Sequence, residues 1–133
     1  LKRITIGCLV CLFIMLLVCS GRFIMLSRAR RALPWTATGV QEHYQDSRFG
    51  SDFQRCLRAR INESDFDAFA KRLDLTRTYG ADDESLPISW TACDATWWTP
   101  PRSLVGARFE HDGDYYAMAA FHDGHVYFVA MGW

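Results

Sequence analysis

The chain has 133 residues, of which 50% are hydrophobic, 23% charged and 14% aromatic, and its formal net charge is zero. That length fits one domain of ordinary size and excludes a multidomain enzyme. The neutral total hides an asymmetry: six Lys and Arg precede Pro34, while the other nine and all 15 acidic residues follow it. Residues 1–33 therefore carry +6 and residues 34–133 carry −6. A net acidic domain is a poor general nucleic-acid binder, because phosphate affinity rests on neutralisation by Lys and Arg.

Residues 4–19 (ITIGCLVCLFIMLLVC) contain no charge and no proline and follow Lys2 and Arg3, the order of a signal sequence. A helix of that length rises about 24 Å, short of a hydrocarbon core of roughly 30 Å. Continued to residue 26 with Arg22 snorkelling, it spans the core with some tilt. Residues 1–33 are thus expected to be a hydrophobic anchor with a basic juxtamembrane segment, and residues 4–26 to contact membrane lipid. An uncleaved single-pass anchor is the leading expectation. A signal peptide cleaved near Val18-Cys19-Ser20 and lipidation of Cys19 are its rivals, the latter with Val18 in place of the usual small residue. The signal-like order places the folded domain outside the cytoplasm. Arg22, Arg28, Arg30 and Arg31 argue for the opposite orientation, with the arginines on anionic lipid.

Pro34 marks the start of the second region, residues 34–133. A first strand is expected over 40–44, then a turn over 46–52 containing Gly50. Residues 53–61 (FQRCLRARI) alternate, with Phe53, Leu57, Ala59 and Ile61 on one face and Gln54, Cys56, Arg58 and Arg60 on the other; Arg55 is the exception on the apolar face. The clearest helix is expected over 64–73, where Phe66, Phe69, Ala70 and Leu73 form one stripe. Ser64 and Asp67 suit a capping box. Residues 76–85 read as a loop and 88–91 as a brief strand. Trp97-Trp98-Thr99-Pro100-Pro101 ends regular pairing. Strands are expected over 104–111, 115–121 and 125–131, separated by Asp112-Gly113 and Asp123-Gly124, strong hairpin signals. The last run, HVYFVAM, is apolar on both faces and belongs at the sheet centre or against a partner chain. The fold expected is α+β: a small antiparallel sheet in β-β-α-β-β-β order with one helix packed across it, preceded by an N-terminal transmembrane or signal helix.

Candidate chemistry is sparse. His122-Asp123-Gly124-His125 and His111-Asp112-Gly113-Asp114 supply imidazoles and carboxylates suited to divalent metals. Turn formation alone accounts for Asp and Gly at those places. The leading reading is therefore no metal site and no cofactor, with a metal at His122 and His125 as the alternative. There is no Gly-x-Ser-x-Gly elbow, His-Glu-x-x-His, P-loop or dinucleotide fingerprint. Cys56 and Cys93 suit a disulfide more than a nucleophile paired with His43. Arg55, Arg58 and Arg60 form a basic stripe expected to pair with acids such as Glu63. Among the aromatics, Trp97, Trp98, Pro100, Tyr116 and Tyr127 are the candidate contact surface, since flat exposed rings anchor interfaces.

Leu33-Pro34-x-x-Ala37-x-x-Val40, Leu57-Arg58-Ala59-Arg60-Ile61, Phe66-Asp67-x-Phe69 and Trp97-Trp98-x-Pro100 resemble small bacterial signal-anchored or lipoprotein-type domains, a largely uncharacterised group. The resemblance covers residues 33–133 and implies a compact extracytoplasmic domain without catalytic residues to transfer. The expectation is a membrane-anchored, non-enzymatic module of the bacterial envelope binding a protein partner or other ligand. A small metal-dependent or thiol enzyme and a structural subunit of a membrane complex are the alternatives.

Overall fold

A computed structural model describes residues 10–16, 26–46, 52–81, 88–91 and 93–132. The chain divides into two compact units, residues 1–31 and 32–133. In the first, residues 10–16 are helical, and Val10, Leu12, Phe13, Ile14, Met15 and Leu16 are all more than half exposed. Most of the expected span, residues 4–26, lies outside the described residues. Among the described ones no helix is long and apolar enough to cross a membrane. A short helix, α1 (Arg28–Ala32), begins where the Ser27 hydroxyl accepts the Arg30 amide at 3.1 Å, which satisfies one of the amides a helix start leaves unpaired.

The second unit is mostly β. Its strands are β1 (Thr38–Asp46), β2 (Phe53–Arg60), β3 (Arg77–Thr78), β4 (Arg108–Asp112), β5 (Tyr115–His122) and β6 (His125–Gly132). They form one antiparallel sheet in the order β1-β2-β6-β5-β4-β3. Two short helices, α2 (Phe66–Arg72) and α3 (Ile88–Thr91), interrupt them. This corrects the α+β, five-strand expectation in two places. Arg77–Thr78 is a strand, too short to show alternation, set by pairing with Phe109 and Arg108. Residues 88–91 are helical, because local propensity yields to the burial of Trp90, which is 1% exposed and donates its indole N–H to the Pro101 carbonyl at 3.0 Å. β4 also starts late. The Ala107 amide closes a turn on the Leu104 carbonyl at 2.8 Å, so residues 104–107 bend rather than extend.

The hairpin ends follow from their turn residues. His122 pairs with His125 across Asp123-Gly124, whose φ values are 52° and 76°. Two positive φ angles in a two-residue loop give the type I′ twist that matches twisted strands. Asp112 pairs with Tyr115 around Gly113, where φ is 54°.

β6 is third in the sheet, and Val126 to Ala130 are all buried. Its doubly apolar character is accounted for within the chain. On one face α2 lays Phe69 edge-on against Phe128, centroids 6.2 Å apart, and Phe66 against Phe121 at 6.1 Å. On the other lie Trp90, Cys93, Trp98 and Leu104, packed on Cys56, Met118, Tyr127 and Val129.

The N-terminus of α2 differs from the capping-box expectation. A 3-10 turn, Glu63–Asp65, precedes it and absorbs Ser64, and no side chain caps either start. Its C-terminus is closed instead. Asp74 adopts φ 59°, and the Leu75 and Asp74 amides donate to the Ala70 and Lys71 carbonyls at 3.0 and 3.1 Å. That is the Schellman pattern, with Asp in the left-handed position usually held by Gly.

Candidate functional site

Residues on β2, β5 and β6 alternate between the α2 face and the opposite, loop-covered face, so register decides which side chains meet. Cys56, Val129 and Met118 are direct cross-strand partners on the loop-covered face. Cys93 reaches Cys56 from the loop and the two form a disulfide, with Cα atoms 6.4 Å apart. Both are buried. The bond fastens the Trp90–Leu104 segment to the central strands. His43 is the cross-strand partner of Cys56, but with the sulfur in a disulfide there is no thiol for it to activate.

The aromatic candidates separate into different environments. Trp98 and Tyr127 are core residues, 8% and 4% exposed, meeting edge to face at 5.6 Å. The Trp98 indole N–H donates to the Trp90 carbonyl at 2.9 Å, and Trp90 packs edge-on against it at 5.5 Å. Trp97 and Pro100 are half-buried at the margin, the Trp97 ring lying 6.0 Å from that of Trp98. Tyr116 is half-buried on β5, four residues along the strand from Ala120, the partner of Tyr127; that separation is about 13 Å. Tyr116 packs with Tyr79 and Phe109 against the same buried core, at Met118. Its hydroxyl is 2.8 Å from that of Tyr79 and donates to the Met118 sulfur at 3.4 Å. Burial, then the Tyr79 hydroxyl, pushes its ionisation well above the ordinary phenol range. The structure thus brings the Trp97, Trp98 and Tyr127 rings together and places Tyr116 farther along the same core.

The basic stripe also divides. Arg55 pairs with Glu42 at 2.6 Å and lies over the Tyr44 ring at 4.7 Å. Arg58 takes no acidic partner among the described residues. Its Nη1 donates to the Trp97 carbonyl at 3.2 Å, its guanidinium lies 5.7 Å from the Tyr127 ring centroid, and Nη2 is 3.5 Å from His125 Nε2. These contacts hold the Trp97-Trp98 segment against the sheet, a role that strand alternation alone did not reveal.

His122 and His125 face each other across the hairpin end. His125 Nδ1 lies 2.9 Å from the Asp123 carbonyl, which can only accept, so Nδ1 carries a proton, and Nε2 is turned toward Arg58. Among the described residues no group of three or more His, Cys, Asp or Glu converges as a metal site would require. A cleft beside α2, lined by Glu63, Phe66, Val105 and Phe121, encloses about 180 Å³; small-molecule pockets are usually about 300–1,000 Å³. It contains none of the aromatic candidates.

No known protein family, curated protein or solved structure matches the chain.

Proposed function

We propose that the chain is a membrane-tethered, non-enzymatic binding module of a bacterial envelope, its β-rich domain standing on the oxidising side of the membrane and docking a protein partner. The observation that carries this reading is the buried Cys56–Cys93 disulfide joining two segments of the core, since such bonds persist in extracytoplasmic compartments and are rare in a reducing cytosol. The tether draws support from the apolar run itself and from the exposure of its described helical side chains, residues 10–16. Trp35, 95% exposed just after the basic segment, has the character of a residue at a headgroup interface. Tethering raises the effective concentration of a modest binder near membrane partners. With Trp98 and Tyr127 committed to the core, the contact surface in this reading falls to Trp97, Pro100 and the more distant Tyr116.

Thiol labelling of the full-length chain in intact cells tests the side and the bond together. A membrane-impermeant maleimide is expected to label Cys56 and Cys93 only after exposure to an impermeant reductant under mildly denaturing conditions. Labelling of both thiols in lysed cells without any reductant places the domain in the cytoplasm and removes the reading. A photoreactive residue replacing Trp97 tests the partner: the reading expects a discrete membrane-dependent crosslink, and its absence counts against docking at that edge.

A further inference from the structure

The sequence scatters its basic residues, but register gathers four of them at one corner. Thr38 on β1 pairs with Arg60 on β2, Arg60 pairs with His125 on β6, and His125 pairs with His122 on β5. Direct cross-strand partners project from the same face about 5 Å apart, so this is one row across four strands, on the same face as Arg58. Thr38, Arg60 and His122 are exposed, and Arg58 and His125 are half-buried. No carboxylate forms an ion pair with Arg58 or Arg60 among the described residues, although residues 34–133 carry −6 overall. Arg58 is also under-used. One of its amines holds the Trp97 carbonyl, while among the described residues Nη2 makes no polar contact closer than the 3.5 Å one to His125, and a guanidinium has five donors suited to planar oxyanions.

We infer that the corner formed by Thr38, Arg58, Arg60, His122 and His125 is an oxyanion site that takes a phosphate group, either free or as a phosphodiester lipid headgroup. Arg60 and the Nη2 amine of Arg58 supply the fixed charge. The Thr38 hydroxyl and the His122 imidazole supply further hydrogen bonds, while His125, with Nδ1 committed to the Asp123 carbonyl and Nε2 turned toward Arg58, positions that guanidinium. The site meets the Trp97 edge through Arg58, whose other amine holds the Trp97 carbonyl, but it does not depend on the docking role proposed above.

The test uses the full-length chain in phosphatidylcholine nanodiscs, reading the His122 and His125 ring signals by NMR. One arm adds inorganic phosphate and the other replaces part of the lipid with phosphatidylglycerol; sodium chloride at matched ionic strength is the control. The expected result is a saturable shift of both ring signals in at least one arm and not with chloride. Response to inorganic phosphate identifies a diffusible ligand, and response to phosphatidylglycerol alone identifies a headgroup. Arg60→Gln, which removes an exposed side chain, is expected to weaken binding about tenfold. His122→Gln is expected to weaken it less, and Lys71→Gln on α2 to leave it unchanged. Absence of a shift in both arms, an equal shift with chloride, or undiminished binding by Arg60→Gln overturns the assignment.

Discussion

Two single residues set local geometry in ways that substitution tests directly. Gly124 sits at φ 76° in the turn joining the two central strands, and its carbonyl accepts the Ile61 amide at 3.1 Å. A Cβ there meets no neighbouring atom, so the cost of Gly124→Ala is one of backbone conformation, about 1 kcal/mol or slightly more. Urea denaturation is expected to show a lower midpoint with an unchanged slope. Asp123→Asn, at the other positive-φ position, is expected to be neutral because Asn tolerates that region well. Glu110 offers a purely electrostatic case. The Thr76 hydroxyl donates to it at 2.6 Å and, with the His111 amide, lowers its pKa below the usual carboxylate value. A depressed acid contributes stability above its unfolded pKa and loses it as pH falls through the folded value. Removing the donor by Thr76→Val is therefore expected to raise the Glu110 midpoint in an NMR titration and to leave stability at pH 7 little changed, since Glu110 is at the surface.

At the scale of elements, the adjacent tryptophans separate core from margin. Trp98→Ala removes a ring buried between Trp90 and Tyr127 and leaves the Trp90 carbonyl without its donor; the expected loss is about 3–5 kcal/mol. Trp97→Ala removes a half-buried ring but keeps the backbone carbonyl that Arg58 holds, so its loss is expected to be under about 2 kcal/mol. Thermal melts that rank the two in the reverse order contradict this packing. Alternation and turn chemistry made β2, β5, β6 and both Asp-Gly hairpins legible in the sequence, and the Phe66-Phe69-Ala70-Leu73 stripe placed α2. What escaped was governed by distant contacts. Residues 88–91 became helical around a buried indole, β3 exists only through its pairing with β4, and Ser64 was absorbed by a 3-10 turn. The candidate surface was only partly legible for the same reason: adjacent Trp97 and Trp98 diverge on an extended segment, but whether the segment extends and which ring is buried are not encoded in the pair. The row from Thr38 to His122 depends on register across four strands, which no local pattern contains. Gly132 shows the same dependence. The Phe53 ring lies 2.5 Å from where a Cβ on Gly132 would stand, between neighbours Tyr44 and Tyr115, so a bare strand position is covered by a cross-strand aromatic.

For the domain as a whole, the decisive feature is that one sheet is covered on its two faces by different means. The α2 face is closed by a helix whose stripe is continuous in sequence. The opposite face is closed by an irregular segment with two buried tryptophans and a short helix, and such a segment gains little from its own local structure. The Cys56–Cys93 bond closes a loop with a sequence separation of 37 residues. The loop-entropy relation assigns that closure about 4 kcal/mol, acting chiefly on the unfolded chain, a large share of the roughly 5–15 kcal/mol typical of a domain. Reduction is therefore expected to lower stability by several kcal/mol and to loosen the two faces unequally. Hydrogen exchange under reducing conditions should show the Trp98 amide, bonded to Ala95, and the Ala107 amide, bonded to Leu104, losing protection before the Leu75 amide at the end of α2. Equal loss across both faces means that the sheet and its two covers unfold as one cooperative unit, and that the bond stabilises the whole rather than the tryptophan segment. Retained protection at Trp98 after full reduction means that aromatic packing alone holds that segment in place.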